Sequence, residues 1–423
     1  MKGLPAPFVA ALLVTAGLAA PGLAEDTPPF DLLIRGGHVI DAKNGIDAVL
    51  DVAVAAGRVA SVAAAIPEKS AREVIDASGL YVVPGLVDMH AHVFFGTEKD
   101  AYLSSGPLAL PPDGFTFRSG VTTVVDVGGA GHKNFAQFKD EVIERSKTRV
   151  LSFLNIVGSG MKGGAAEQNL ADMDSALTAA RIAEFPGLVV GVKVAHYKGP
   201  EWIPVDRAVE AGKRAKVPVM VDFGDHDPPL SLRELLLEHL RPGDIFTHTY
   251  AVIEGRGKVV DERGQVEPFV WAARKRGVLF DVGHGGASFS YRQAEPALRQ
   301  GFAPDTISTD LHADSMNGGM KDLANLLSKL MGLGMSLPDV VRCATWAPAR
   351  AIKREDLGHL GVGAPADIAI LRLREGPVGF LDAYGERRAG AQRLEAELTL
   401  REGRVVWDLD GLAPAPKPVA ASK

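Results

Sequence analysis

The sequence predicts an α/β protein, a (β/α)8 TIM-like barrel with a small β-sandwich domain built from both chain ends. Two observations predict it. Between Val87 and about Ala351, apolar runs alternate with amphipathic helical stretches at a spacing of roughly 30 residues, the rhythm of repeated βα units. Short β-rich runs separated by Gly, Asn and Asp turns fill Phe30 to Val83 and return from Ala366 to Trp407, so the two ends are expected to fold together.

In order, the N-terminal runs are Leu32 to Ile34, His38 to Asp41, Asp51 to Val54, Val59 to Val62, Glu73 to Asp76 and Leu80 to Val83, read as an antiparallel set. Their C-terminal partners are Ala366 to Leu373, Arg393 to Leu400 and Arg404 to Trp407, with Gly403 as a turn. The expected barrel strands are Leu86 to His90, Thr122 to Val127, Val150 to Ile156, Leu188 to Val194, Pro218 to Phe223, Ile245 to His248, Val278 to Val282 and Thr306 to Thr309. Helical stretches between them include Phe135 to Ser146, Asp172 to Glu184, Asp206 to Lys213, Leu232 to Leu240, Phe269 to Arg276 and Gln293 to Gln300. The expected domains are a sandwich over 25–84 and 352–412, a barrel over 85–351, and a loose Pro- and Ala-rich tail over 413–423.

A chain of 423 residues with 46% hydrophobic content can bury a large core. The net charge of -6, with no Lys/Arg cluster or interleaved aromatic run, argues against nucleic acid and for a small-molecule substrate. Assembly into a homo-oligomer stays open. Residues 1–24 read as a signal peptide, with Lys2 as the basic region, Phe8 to Ala20 as the apolar region and Gly22-Leu-Ala24 as the cleavage site. A periplasmic or secreted protein is therefore expected. Pro5, Pro21 and the many Ala and Gly make this segment a poor spanning helix, so no stable membrane insertion is expected after its removal. The single cysteine, Cys343, allows no intramolecular disulfide and reads as a buried, inert thiol.

The chemistry is carried by strand ends. In Val83-Pro-Gly-Leu-Val-Asp-Met-His90-Ala-His92, two imidazoles two residues apart sit on one face of a strand and can reach one metal ion. Lys193 interrupts the apolar run Val189 to His196. A buried lysine is costly unless it is paired with an acid, or unless its depressed pKa lets the amine take up carbon dioxide as a carbamate. His248 and Asp310 end the runs Asp244-Ile-Phe-Thr-His248 and Thr306-Ile-Ser-Thr-Asp310, where a barrel presents its reactive groups.

Taken together, these residues resemble the amidohydrolase superfamily of metal-dependent hydrolases over nearly the whole chain after residue 24. The likeness is strongest to its deacetylase or dihydroorotase-like branch, through Gly191-Val-Lys-Val-Ala-His-Tyr197, Arg241-Pro-Gly-Asp-Ile-Phe-Thr-His248, Asp281-Val-Gly-His-Gly285 and Ile307-Ser-Thr-Asp-Leu-His312. The resemblance implies a binuclear zinc site. One ion would take His90, His92 and Asp310, the other the strand-five and strand-six ligands, with carboxylated Lys193 bridging.

One position departs. Where relatives normally carry a histidine on strand five, this chain has Asp222, in Pro218-Val-Met-Val-Asp222. Three readings compete: Asp222 replaces the imidazole directly, His226 in the following loop substitutes, or the second site is weak or empty; the strand-end position favours Asp222.

The expected activity is zinc-dependent hydrolysis of an N-acetyl or related acyl bond, with Asp310 shuttling the proton from water to the leaving group. A cyclic amidase of the dihydroorotase or hydantoinase type and an inactive ligand-binding barrel are the alternatives. His284, Tyr197, His196 and His226 are candidate substrate contacts, with His312 and Asp314 weaker ones.

Overall fold

The computed structural model describes residues 28–95, 108–224, 226–253 and 256–414. The expected signal segment 1–24 and most of the expected tail lie outside them. Ala413, at the start of that tail, is tied down by its N–H to Asp408 Oδ2 at 2.9 Å.

The chain ends share one eight-stranded sheet. Across it lie Arg404–Asp408, Arg387–Arg401, Ile368–Leu381, Tyr81–Pro84, Phe30–Asp41, Ile46–Ala55 and Arg58–Ala63, with Ala71–Asp76 also pairing Phe30–Asp41. The sheet is mixed, which corrects the antiparallel expectation: Ala71–Asp76 and Tyr81–Pro84 both run parallel to Phe30–Asp41. A bulge also merges two of the expected strands. The runs read as two strands at Leu32 and His38 are one strand whose register shifts between Ile34 and Gly37. Before the bulge Ile34 pairs with Ile75, and after it Val39 pairs with Val82. Gly36 has φ +70, and a Cβ on Gly37 would stand 2.3 Å from Val82 Cγ2, so this bend requires glycine. Leu32, Ile34, Val52, Val82, Ile370, Leu398 and Leu400 form one buried cluster drawn from both ends. At about 1.5–3 kcal/mol for each such side chain, this burial holds the distant termini together.

The barrel strands Leu86–Ala91, Val121–Gly131, Arg149–Asn155, Val189–Val194, Val219–Val221, Ile245–Phe246 and Leu279–Phe280 form a seven-stranded parallel sheet in chain order. The expected eighth strand closes the ring by single bridges, Asp281 to Thr306 and Ala91 to Leu311, in place of a continuous ladder. Backbone hydrogen bonds complete the closure, from Val282 N–H to Thr306 O at 3.1 Å, Asp310 N–H to His90 O at 2.7 Å and His92 N–H to Leu311 O at 2.9 Å. Alternate residues Val87 and Met89, Val125 and Val127, and Leu151 and Phe153 join Met220, Ile245 and Ala349 in one enclosed cluster. Residues of opposite parity, such as Val124, Val150 and Val219, join the larger core with the helices.

Helices Ser175–Glu184, Ile203–Ala215, Pro268–Arg276 and Tyr291–Arg299 fall where apolar spacing placed them. Phe135 to Ser146 and Leu232 to Leu240 instead yield one short α segment each, Phe135–Phe138 and Leu232–Glu234, continued by π turns. Over so few residues, spacing does not separate the two helix types. Cys343 is fully buried, and burial pushes its thiol up to about 12, as suits an inert packing residue. Among the described residues no helix is long and apolar enough to cross a membrane.

Candidate metal centre and active-site pocket

Three side chains from neighbouring strands converge at the barrel mouth. His92 Nε2 lies 3.0 Å and His90 Nε2 3.3 Å from the same oxygen, Asp310 Oδ1. Donor atoms of all three residues fall within 4.8 Å of one another. Two imidazole nitrogens and a carboxylate oxygen suit a zinc-like ion, so the residues fit the metal that the fold implies. Burial pushes His90 down to about 3, with Lys193 adding to the effect, so the ring is neutral and able to offer a lone pair. Burial raises the Asp310 carboxyl, but His90, His92 and His248 outweigh it and hold the group well below the usual carboxylate range. It is therefore ionised and able to ligate.

A second group faces this one. Lys193, buried on the fourth strand, brings Nζ to 3.4 Å from His90 Nε2. Burial lowers its pKa against the pull of Asp222, Asp310 and Asp281, a shift towards the neutral amine. Asp222, one residue beyond the fifth strand, places Oδ2 at 3.4 Å from His248 Nε2. Its other oxygen, Oδ1, is 3.4 Å from the guanidinium of Arg256. Burial of Asp222 is outweighed by His248, Arg256 and Lys193, so it too is held well below the usual range.

Backbone conformation sets these positions as much as strand register does. His248 and Asp310 have φ of +58° and +51°, left-handed values at the ends of the sixth and eighth strands. Each costs about 1–2 kcal/mol for a non-glycine residue, and both are pinned. His248 Nδ1–H donates to Gly283 O at 2.6 Å, and Asp310 N–H to His90 O at 2.7 Å. The neighbouring glycines are obligatory. A Cβ on Gly283 would stand 2.4 Å from Thr247 Oγ1, and one on Gly285 2.3 Å from Asp310 Oδ2.

Buried acids behind the centre went unread in the sequence. Asp281 accepts from Thr247, Thr306 and Ser308 hydroxyls at 2.7–2.8 Å, and Thr247 Oγ1 in turn meets His90 Nδ1 at 2.9 Å. This chain fixes which His90 nitrogen faces the metal position. Asp88, pushed up to about 7 by burial, accepts from Thr309 N–H at 3.0 Å and ties the first strand to the eighth. Asp126 accepts from the N–H groups of Val93 and Gly129, shaping the loop that follows His92. All three are acids inside apolar runs, and that signal was available.

The remaining candidates separate. His196 lines the pocket, and its Nδ1 is 2.9 Å from Glu167 Oε2. Tyr197 is buried with its hydroxyl donating to Glu201 at 2.5 Å, so it is committed within its own loop. His226 packs its ring on Phe223 at 5.0 Å and on Tyr197 at 6.5 Å, and is not part of the three-residue donor cluster.

His284 corrects an expectation. It is fully buried, stacked on Phe289 at 4.7 Å, with Nδ1–H donating to Gly285 O and Nε2 accepting from Lys329 Nζ at 2.6 Å. It holds the loop above the seventh strand and does not line the pocket. Burial pushes Lys329 down to about 7 from the ordinary 10.5, against the pull of Asp382. Between those values the unfolded chain binds more protons, so stability rises with pH by about 1.4 kcal/mol per unit from this group. Denaturant titrations should show the wild-type advantage over Lys329→Met growing from pH 7 to pH 9. A constant difference between the two would contradict this.

The pocket beside the centre encloses about 420 Å3. Asp222, His248, Arg256, Asp310, His312 and Asp314 supply its polar wall, with Phe223 and Ile253 on the apolar side. Arg256 carried no signal in the sequence, being one arginine in a loop. Its place on the ring of Phe246, 5.7 Å away, comes from tertiary packing.

Residues 290–405 match the model of the Amidohydrolase family. The chain is 35% identical over 340 residues to a deacetylase of Agrobacterium fabrum, covering 78% of this chain and 80% of that protein. It is 31% identical over 383 residues to a deacetylase of Enterococcus faecalis, covering 89% of this chain and 99% of that one. The chain belongs to the amidohydrolase family. Its fold agrees: a crystal structure of an adenine deaminase, 30% identical, superposes with a TM-score of 0.80 over 90% of this amidohydrolase and 100% of the other chain. This amidohydrolase is thus a metal-dependent hydrolase of carbon–nitrogen bonds, and His90, His92 and Asp310 are its metal-competent cluster.

Proposed function

We propose that this amidohydrolase is a zinc-dependent deacetylase that hydrolyses the N-acetyl or related acyl bond of a small molecule. The observation that carries the reading is the His90, His92 and Asp310 cluster in a chain 35% identical to a deacetylase over most of its length. In this reading His90, His92 and Asp310 would hold one zinc ion and Asp222 and His248 the other, with carboxylated Lys193 supplying a further oxygen ligand. The carbamate forms when the Lys193 amine bonds to the carbon of carbon dioxide and releases a proton. When bound, zinc supplies Lewis acidity to the scissile carbonyl and acidifies water at neutral pH.

The rest falls to the chain's own groups. Asp310 takes the proton of the attacking water and passes it to the leaving nitrogen as the carbon–nitrogen bond breaks. Acetate and a free amine result. Arg256 and His312, on the pocket wall, hold the substrate's polar end beside Asp310. A cavity of about 420 Å3 suits a small molecule. The signal-like segment 1–24 supports export to the periplasm or beyond.

The test is turnover by purified, zinc-loaded protein against N-acetyl amino acids, acetylated hydroxy acids and cyclic ureides. Acetate release that chelation abolishes and added zinc restores is expected. Turnover confined to cyclic ureides would assign a cyclic amidase instead, and ligand binding without metal or turnover would make this an inactive barrel.

A further inference from the structure

The fifth-strand departure leaves the second half of the centre with fewer imidazoles than the first. We propose that His196, two residues beyond the fourth strand, supplies the missing imidazole and is a ligand of the second metal ion beside Asp222 and His248. This rests on the binuclear reading above and adds to it a residue from a different strand.

Three observations point the same way. His196 Nε2 lies 3.6 Å and His248 Nε2 3.4 Å from one oxygen, Asp222 Oδ2, while Arg256 occupies the other oxygen, Oδ1. At 3.6 Å the His196 contact is too long for a good hydrogen bond, so the ring is aimed at the carboxylate without being consumed by it.

The second observation lies behind the ring. His196 Nδ1 is 2.9 Å from Glu167 Oε2, and Glu167 is buried, its other oxygen taking the Gly163 N–H at 3.0 Å. A carboxylate behind one ring nitrogen, with the other nitrogen facing outward, is the arrangement that orients metal-ligating histidines. The same logic holds His90 through Thr247 and Asp281, and His248 through Gly283 O. All three imidazoles have Nδ1 anchored and Nε2 turned to the centre.

The third is the backbone. His196 has φ +58°, the left-handed conformation shared by His248 at +58° and Asp310 at +51°. Its carbonyl is held by the Gln168 side-chain amide at 2.8 Å. Strained non-glycine residues of this kind persist where surrounding contacts fix them, and they gather at functional sites. Unlike the first cluster, this group's donors do not all fall within 4.8 Å of one another. Closing on an ion requires the His196 ring, whose side chain is 44% exposed, to move inward.

The experiment is metal stoichiometry, read by mass spectrometry and by the visible absorption of the cobalt-loaded protein, on full-length wild type, His196→Asn and Glu167→Gln. Wild type should hold about two ions and His196→Asn about one, with the altered cobalt spectrum of a single site. Glu167→Gln should keep both sites but bind the second ion about 10–100-fold more weakly. Retention of the first ion by His196→Asn shows that the variant is folded. Two ions at wild-type affinity in His196→Asn would overturn the proposal and leave the binuclear reading standing. One ion in wild type would overturn both.

Discussion

Replacing Asp310 with Asn is expected to lower kcat/KM by about 10³- to 10⁴-fold while leaving the fold intact. Asp310 stands at the meeting of two tasks. Its Oδ1 faces His90 and His92 at 3.3 Å and 3.0 Å, and its Oδ2 lies 3.8 Å from His312 on the pocket side. An amide of the same shape keeps the packing against Gly285, where any Cβ would collide with Oδ2. It cannot accept a proton from water at neutral pH and deliver it to a leaving nitrogen. Turnover and bound metal should therefore part company, with metal at the first cluster reduced less than activity. Near-wild-type turnover by a zinc-loaded Asp310→Asn would remove the proton transfer from this residue.

On the proposed binuclear reading, Lys193→Met should remove the second metal ion and most of the turnover. Methionine approximates the length of the lysine stem but has no amine to carry a carbamate, so nothing bridges the two halves of the centre. Electrophilic stabilisation by a metal is worth several kcal/mol in the transition state, and at about 1.4 kcal/mol per tenfold the loss is roughly 10³-fold. Protein prepared in 13C-bicarbonate should show a carbamate carbon resonance in wild type that is absent from the variant. A wild-type protein with no such resonance, or a Lys193→Met protein with two ions and full activity, would eliminate the carbamate.

Much of this site was legible because metal ligands in a barrel fall at strand ends, and strand ends follow apolar runs. His90, His92, Lys193, His248 and Asp310 were found that way, and the structure brings all five to one mouth. Asp222, read as the strand-five replacement, stands against His248. His284, expected as a substrate contact, is flanked by Gly283 and Gly285. Here they serve close packing, with the imidazole buried against Phe289 and Lys329. The acids Asp88, Asp126 and Asp281 were passed over because each partners hydroxyls or amides distant in sequence, such as Thr309 for Asp88. Glu167 lies in a 3-10 turn with no periodicity to mark it, and its role appears only where it meets His196.

The sequence by itself determined the βα rhythm of the barrel and the pairing of the two chain ends, since both are local patterns of polarity and spacing, whereas the departure at Asp222 is legible only through the resemblance to the family. Tertiary structure alone decided which oxygen of Asp222 faces His248 and which faces Arg256. It likewise decided that the ring closes through Thr306 and Leu311 by single bridges. Above all it decided that His196, read as a candidate substrate contact, turns Nε2 to the carboxylate of Asp222. The physical reason is common to all three. A side chain's direction depends on backbone torsions at strand ends and on partners brought in from other strands, and neither is encoded in the spacing of residues along one segment.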